Sequence, residues 1–172
     1  MRIHILRAAS LLATGLLAGA FGYGLANIAP TFHRVPLQLR LEFHTELMRA
    51  NSISMQLTMA TAALSCTALA MAARGRSRVL AGAAAVLVVA SFAITRLGNV
   101  PINHKINAWV TDGAPADYAA ILSRWDFFHG LRTGTAIAAF VLMIVLALWP
   151  HRSGQQLLDA RGAEAGDVRV RG

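Results

Sequence analysis

Residues 53–97 read ISMQLTMATAALSCTALAMAARGRSRVLAGAAAVLVVASFAITRL. Two apolar runs flank Arg74-Gly75-Arg76-Ser77-Arg78, and neither run carries a charge until Arg96. An α-helix rises about 1.5 Å per residue and a bilayer hydrocarbon core is ~30 Å thick, so each run is long enough to cross. Three arginines in five residues resist translocation and mark the cytoplasmic side. The stretch therefore predicts a transmembrane helical hairpin, closed on the inside by an arginine turn.

The remainder of the chain extends this pattern. Residues 5–29 form another apolar run, expected to stop at Pro30, and residues 131–149 form a fourth. Ahead of the hairpin, a charged amphipathic stretch with Arg40, Glu42, His44, Glu46 and Arg49 runs into the apolar half without a breaker, predicting one long helix over about residues 40–73. Helix three is expected over about 79–97. Pro101 has no amide hydrogen to donate and disfavours helical geometry at Val100, so a kink or unwinding is expected there, exposing the Leu97 carbonyl. A loop of about 30 residues with Pro101, Gly113 and Pro115 should follow, becoming helical from about residue 116 and leading into the last span. Residues 151–172 are polar and Arg-rich and read as a disordered cytoplasmic tail. The fold class expected is all-α: an integral membrane four-helix bundle over residues 1–150, with a long outer loop holding a further helical segment.

Composition agrees. Of 172 residues, 56% are apolar and 14% charged, well below a soluble domain's share of charge, and the mean hydropathy is +0.52. The net charge of +8 comes from arginines at segment ends, where they set topology and meet lipid headgroups, so nucleic acid is not an expected partner. The single cysteine, Cys66, lies within an apolar run and excludes an intrachain disulfide. A secretory signal peptide is the rival reading of the first run, because Ala18-Gly19-Ala20 resembles a cleavage site; hydrophobicity continues past it. Nine Arg residues fall at the N-terminus, the arginine turn and the tail, against seven Arg and Lys on the opposite side. The tight turn and Arg2 and Arg7 favour cytoplasmic termini in a bacterial inner membrane.

Polar groups inside lipid must face protein or a wet cavity. Asn51, Ser54, Thr58, Thr61 and Ser65 recur at steps of three and four along helix two, reading as interhelical hydrogen bonds or a substrate path. Gly15 and Gly19 have the spacing of a close helix contact, available for oligomerisation. At the outer end of helix three, Ser91, Thr95 and Asn99 stack at four-residue steps, with Asn103 beyond the proline. Trp125, Phe128, His129 and Arg132 turn to one side of the last helix, where ionisable groups at membrane depth mark either a functional site or interfacial anchoring.

These residues carry a resemblance. Asn99-Val100-Pro101-Ile102-Asn103, then Trp109, then Arg124-Trp125-Asp126, then His129 and Leu131-Arg132-Thr133 resemble, in order and spacing, the anthrone oxygenase-like family of small four-helix membrane proteins; Gly15 to Gly19 with Phe21 and Pro30 is a weaker match. Many members have a second Trp where this chain has Phe128. The family's fungal members oxidise anthrones to anthraquinones with O2 without metal or flavin. The resemblance implies no cofactor, a lipophilic aromatic substrate and O2 as partners, His129 and Asn103 as catalytic residues, and Asn99, Trp109, Trp125 and Arg132 as substrate-binding residues. Three other readings stand beside it. One is a non-catalytic membrane protein whose polar cluster locks the bundle. Another is a metal enzyme using His33, His44, His104, His129 and Glu46, although none shows compact ligand spacing. The last is a transporter, for which no inverted repeat is evident.

Topology is directly testable in a Cys66→Ala background. Ser77→Cys should resist a membrane-impermeant maleimide in intact cells and react after lysis, whereas Ala116→Cys should react in intact cells; the opposite pattern inverts the orientation.

Overall fold

The structure, a computed structural model, describes residues 2–148; the expected tail, 151–172, lies outside the described residues. The chain is all-α, an integral membrane bundle of four helices each long and apolar enough to cross a bilayer: α1 (Ile3–Phe32), α2 (Leu37–Ala72), α3 (Gly75–Asp112) and α4 (Tyr118–Leu148). They run up and down in sequence, α1 packing between α2 and α4, and α3 completing the ring opposite it. Short connections force antiparallel neighbours, which is the simplest bundle topology.

Both prolines are met by the helices in the same way. α1 does not stop at Pro30: a π-helical turn over Gly24–Ile28 lets the Ala29 amide reach back to the Gly24 carbonyl, and Ala29–Phe32 continues as α-helix. α3 does the same before Pro101, with a π turn over Thr95–Asn99 and the Val100 amide bonded to the Thr95 carbonyl. A π turn inserts one extra residue and widens the ring, making room for a proline that would otherwise crowd the carbonyl four residues back. The expected break at Pro101 is therefore a local unwinding within a continuous helix. Val100–Asp112 is helical, and the expected long loop shrinks to residues 113–117. Gly113, at φ +84°, ends the helix with its amide on the Trp109 carbonyl, a left-handed cap that suits glycine.

The helices are 30 to 38 residues long, whereas about 20 residues cross the hydrocarbon core. About 20 residues from Arg78 along α3 reach Gly98, so both π turns lie near that level and α2 and α3 continue well beyond it.

Two cores result. The inner one is small-residue packing: Ala62, Ala81, Ala84, Ala136 and Ala139 are at most 1% exposed, with Leu17, Cys66, Val88 and Met143 between them. Such residues let helix backbones approach closely where lipid offers no hydrophobic drive to associate. The outer one is aromatic, with Phe32, Leu41, Ile102, Ile106, Trp109, Leu122 and Trp125. Gly15 faces Phe140 of α4 within the same bundle, while nothing lies within 4 Å of a Cβ built on Gly19. Three residues of the helix-two stripe bond to their own backbone: Ser54, Thr58 and Ser65 each donate to a carbonyl three or four residues back.

The closest glycine contact is Gly98 in the second π turn, where a Cβ would stand 2.5 Å from Phe128 Cγ. Gly98→Ala should destabilise the protein by about 1–3 kcal/mol through overpacking, read as a lower unfolding temperature in detergent. Adding Phe128→Leu should recover most of that loss; a substitution at Gly98 that costs nothing removes the close-packing role.

Candidate functional site

Between the two cores, at the level of the π turns, lies a mainly apolar cavity of about 420 Å³ lined by all four helices. That volume falls in the range of small-molecule sites. Its polar groups come from few positions. α4 presents Trp125, His129 and Arg132, steps of four and three that share one helix face; α3 presents Thr95, Arg96 and Asn103; α2 presents Asn51 and Gln56; α1 presents Tyr23 and the backbone of Gly24.

Arg132 is 8% exposed. Its Nε donates to His129 Nδ1 at 3.0 Å, Nη1 lies 3.5 Å from Thr95 Oγ1, and the guanidinium sits 4.5 Å over the Phe21 ring. Among the described residues no carboxylate pairs with it. A buried cation without a counter-ion is costly. Arginine has five N–H donors, and those not used by His129 and Thr95 remain for a ligand.

The bond from Arg132 fixes the tautomer of His129. Nδ1 accepts, so the ring proton is on Nε2, which is turned to the backbone of Gly24. A Cβ on Gly24 would stand 3.1 Å from Nε2, so glycine here admits the imidazole to the α1 backbone. The ring also packs on Trp125, with centroids 5.0 Å apart and planes inclined at 31°.

Asn103 is held from behind. Trp125 Nε1 donates to Asn103 Oδ1 at 2.7 Å, and His44 Nε2 lies 3.1 Å from the same oxygen. The sequence offered His44 only as one of several metal-ligand candidates; the structure places it in the inward seam of α2 with Leu41 and Leu47, at helical steps. It is fully buried, stacked on Phe32 with centroids 5.1 Å apart and 4.7 Å from Trp125 edge-on.

Four of the residues singled out in the sequence, Asn103, Trp125, His129 and Arg132, thus border one cavity. Two others lie outside its lining. Asn99 is fully buried and donates through Nδ2 to the Trp125 carbonyl at 3.0 Å, tying the π turn to α4. Trp109 shares a helix face with Ile102 and Ile106, and that face belongs to the outer core. Further out, Asp126 bonds His33 at 3.1 Å and lies 3.9 Å from Arg40, whose guanidinium covers Phe32. Among the described residues no three His, Cys, Asp or Glu side chains gather in a way that could hold a metal ion.

Comparison with curated proteins and with solved structures returned no match. Residues 43–142 match the family described as Anthrone oxygenase. The matched span is more than half of the chain and runs from the outer half of α2 into α4, taking in Asn103, Trp125, His129 and Arg132. On that match the chain belongs to the anthrone oxygenase family.

Proposed function

We propose that this protein is a cofactor-independent oxygenase that oxidises a lipophilic phenolic aromatic substrate in the cavity between its two cores. Arg132 carries the reading: a buried guanidinium on the wall of an apolar cavity, without a carboxylate partner among the described residues, suits a ligand that becomes an anion. In an anthrone, loss of a proton from the methylene places negative charge on the ketone oxygen and makes the ring system electron-rich enough to reduce O2. One oxygen atom ends in the new carbonyl and the other leaves as water with the two methylene hydrogens.

Each residue has a task in this scheme. Trp125 offers a flat face for the aromatic rings. Arg132 and the Asn103 amide stabilise the oxyanion as it forms, which is worth most in a site that excludes water. His129 accepts the proton. A neutral imidazole is a general base for that exchange, and its accepting nitrogen is the one Arg132 covers. Proton uptake is then coupled to Arg132 turning from the imidazole to the substrate oxygen. With cytoplasmic termini, the cavity opens near the outer leaflet, where a lipophilic phenol would concentrate.

The test uses the full-length protein in lipid nanodiscs with dithranol, a dihydroxyanthrone, following anthraquinone absorbance and O2 uptake together. His129→Ala should lower kcat/KM by roughly 100-fold or more, and Arg132→Lys, which keeps charge but loses the fork, by roughly tenfold. Full turnover by correctly inserted His129→Ala removes the base role, and absence of turnover by the parent protein on this and related phenols counts against the oxygenase.

A further inference from the structure

Asn103 lines the cavity, yet both hydrogen bonds it makes are on its oxygen. The indole N–H of Trp125 can only donate, so the amide atom it meets is an oxygen and the amide orientation is determined. His44 Nε2 meets the same oxygen and must therefore carry its proton. Two donors from two different helices then hold one carbonyl, and the Asn103 NH2 group makes no hydrogen bond among the described residues. The rest of His44 serves no visible polar purpose: Nδ1 is buried without a partner, and the ring is enclosed by Phe32 and Trp125. Buried polar atoms are nearly always satisfied, and an apolar side chain in this place would leave no nitrogen unpaired.

We infer that His44 is a positioning residue: its Nε2–H, with the Trp125 indole, clamps the Asn103 carbonyl so that the amide NH2 faces the cavity as a fixed donor to the substrate oxyanion. The inference rests on the oxygenase reading for what the donor binds, but not for the clamp itself. A single bond from Trp125 would let the amide swing about its side-chain torsions. A second donor from α2 removes that freedom and links the outer half of α2 to the chemistry without His44 reaching the cavity. Preorganised donors contribute because no reorientation is needed as charge develops.

Two measurements on the full-length protein in nanodiscs test it separately. In heteronuclear NMR with isotope-labelled asparagine, the Asn103 side-chain amide, assigned by its loss in Asn103→Ala, should be a sharp resolved pair. It should broaden or collapse toward the free-amide position in His44→Leu, and return in His44→Gln, whose amide N–H falls near the position of Nε2. In dithranol turnover, His44→Leu should lower kcat by roughly tenfold with KM changed less than about threefold, as expected when a transition-state contact is lost. His44→Gln should lie within about threefold of the parent, and His44→Leu combined with Asn103→Ala should be no slower than Asn103→Ala alone, because residues acting as a unit are not additive. An Asn103 amide equally ordered in His44→Leu overturns the clamp, as do multiplicative losses in the double variant. If His44→Leu does not fold, a folded His44→Gln that loses more than about tenfold also overturns it. A parent protein without turnover removes the oxyanion role, while the NMR result still decides whether His44 fixes Asn103.

Discussion

Inside a bilayer no water completes a broken backbone ladder, and every unpaired amide or carbonyl there is expensive. This chain nevertheless carries a proline in two of its four spans, Pro30 and Pro101, at matching depth. The hydrogen-bond register shifts by one residue just before each proline, and much of the rest follows. The helices stay continuous, 30 to 38 residues each, and build a second core beyond the π turns. The widened turns carry Gly24 and Gly98, the two glycines against which α4 places His129 and Phe128. The cavity lies at this level, where the regular ladder is interrupted.

The polar groups around the cavity are arranged in pairs that constrain one another. Arg132 fixes the tautomer of His129, and Trp125 fixes the amide of Asn103, which in turn fixes the tautomer of His44. Both linkages start from one face of α4 and reach a different helix, α1 through Gly24 and α2 through His44. What they leave unused points to chemistry with an anion: spare guanidinium donors and an amide NH2, with aromatic faces around them. Of the residues so linked, all but Gly24 on α1 lie within residues 43–142, the span that matches the anthrone oxygenase family.

The four helices were legible because apolar length is a one-dimensional property: the runs on either side of the arginine turn need no tertiary information. The convergence of Trp125, His129 and Arg132 was legible for a similar reason, since steps of four and three fix a helix face. Asn103 could be suspected from the resemblance, but its orientation depends on an indole 22 positions away and an imidazole 59 positions away. Pro101 announced that the ladder breaks, though not that a π turn repairs it, because a kink and a π turn answer the same missing amide. The same repair explains Asn99, whose side chain is directed to the α4 backbone rather than into the cavity. Where Trp109 would sit was not legible, because a tryptophan near an interface looks alike whether it seals a core or faces a ligand. His44 was visible only as one imidazole among several, because its partners Asn103 and Trp125 come from other helices.

The separation into an alanine-rich inner core and an aromatic outer core has a dynamic consequence. Packed regions that share few contacts open as separate cooperative units, and the cavity is the boundary between these two. Loosening of the outer unit, capped by the short turn at Gly113, would open the cavity without disturbing the alanine-rich packing. A ligand seated there touches both units at once. It would act as a rivet, turning two partly independent unfolding events into one.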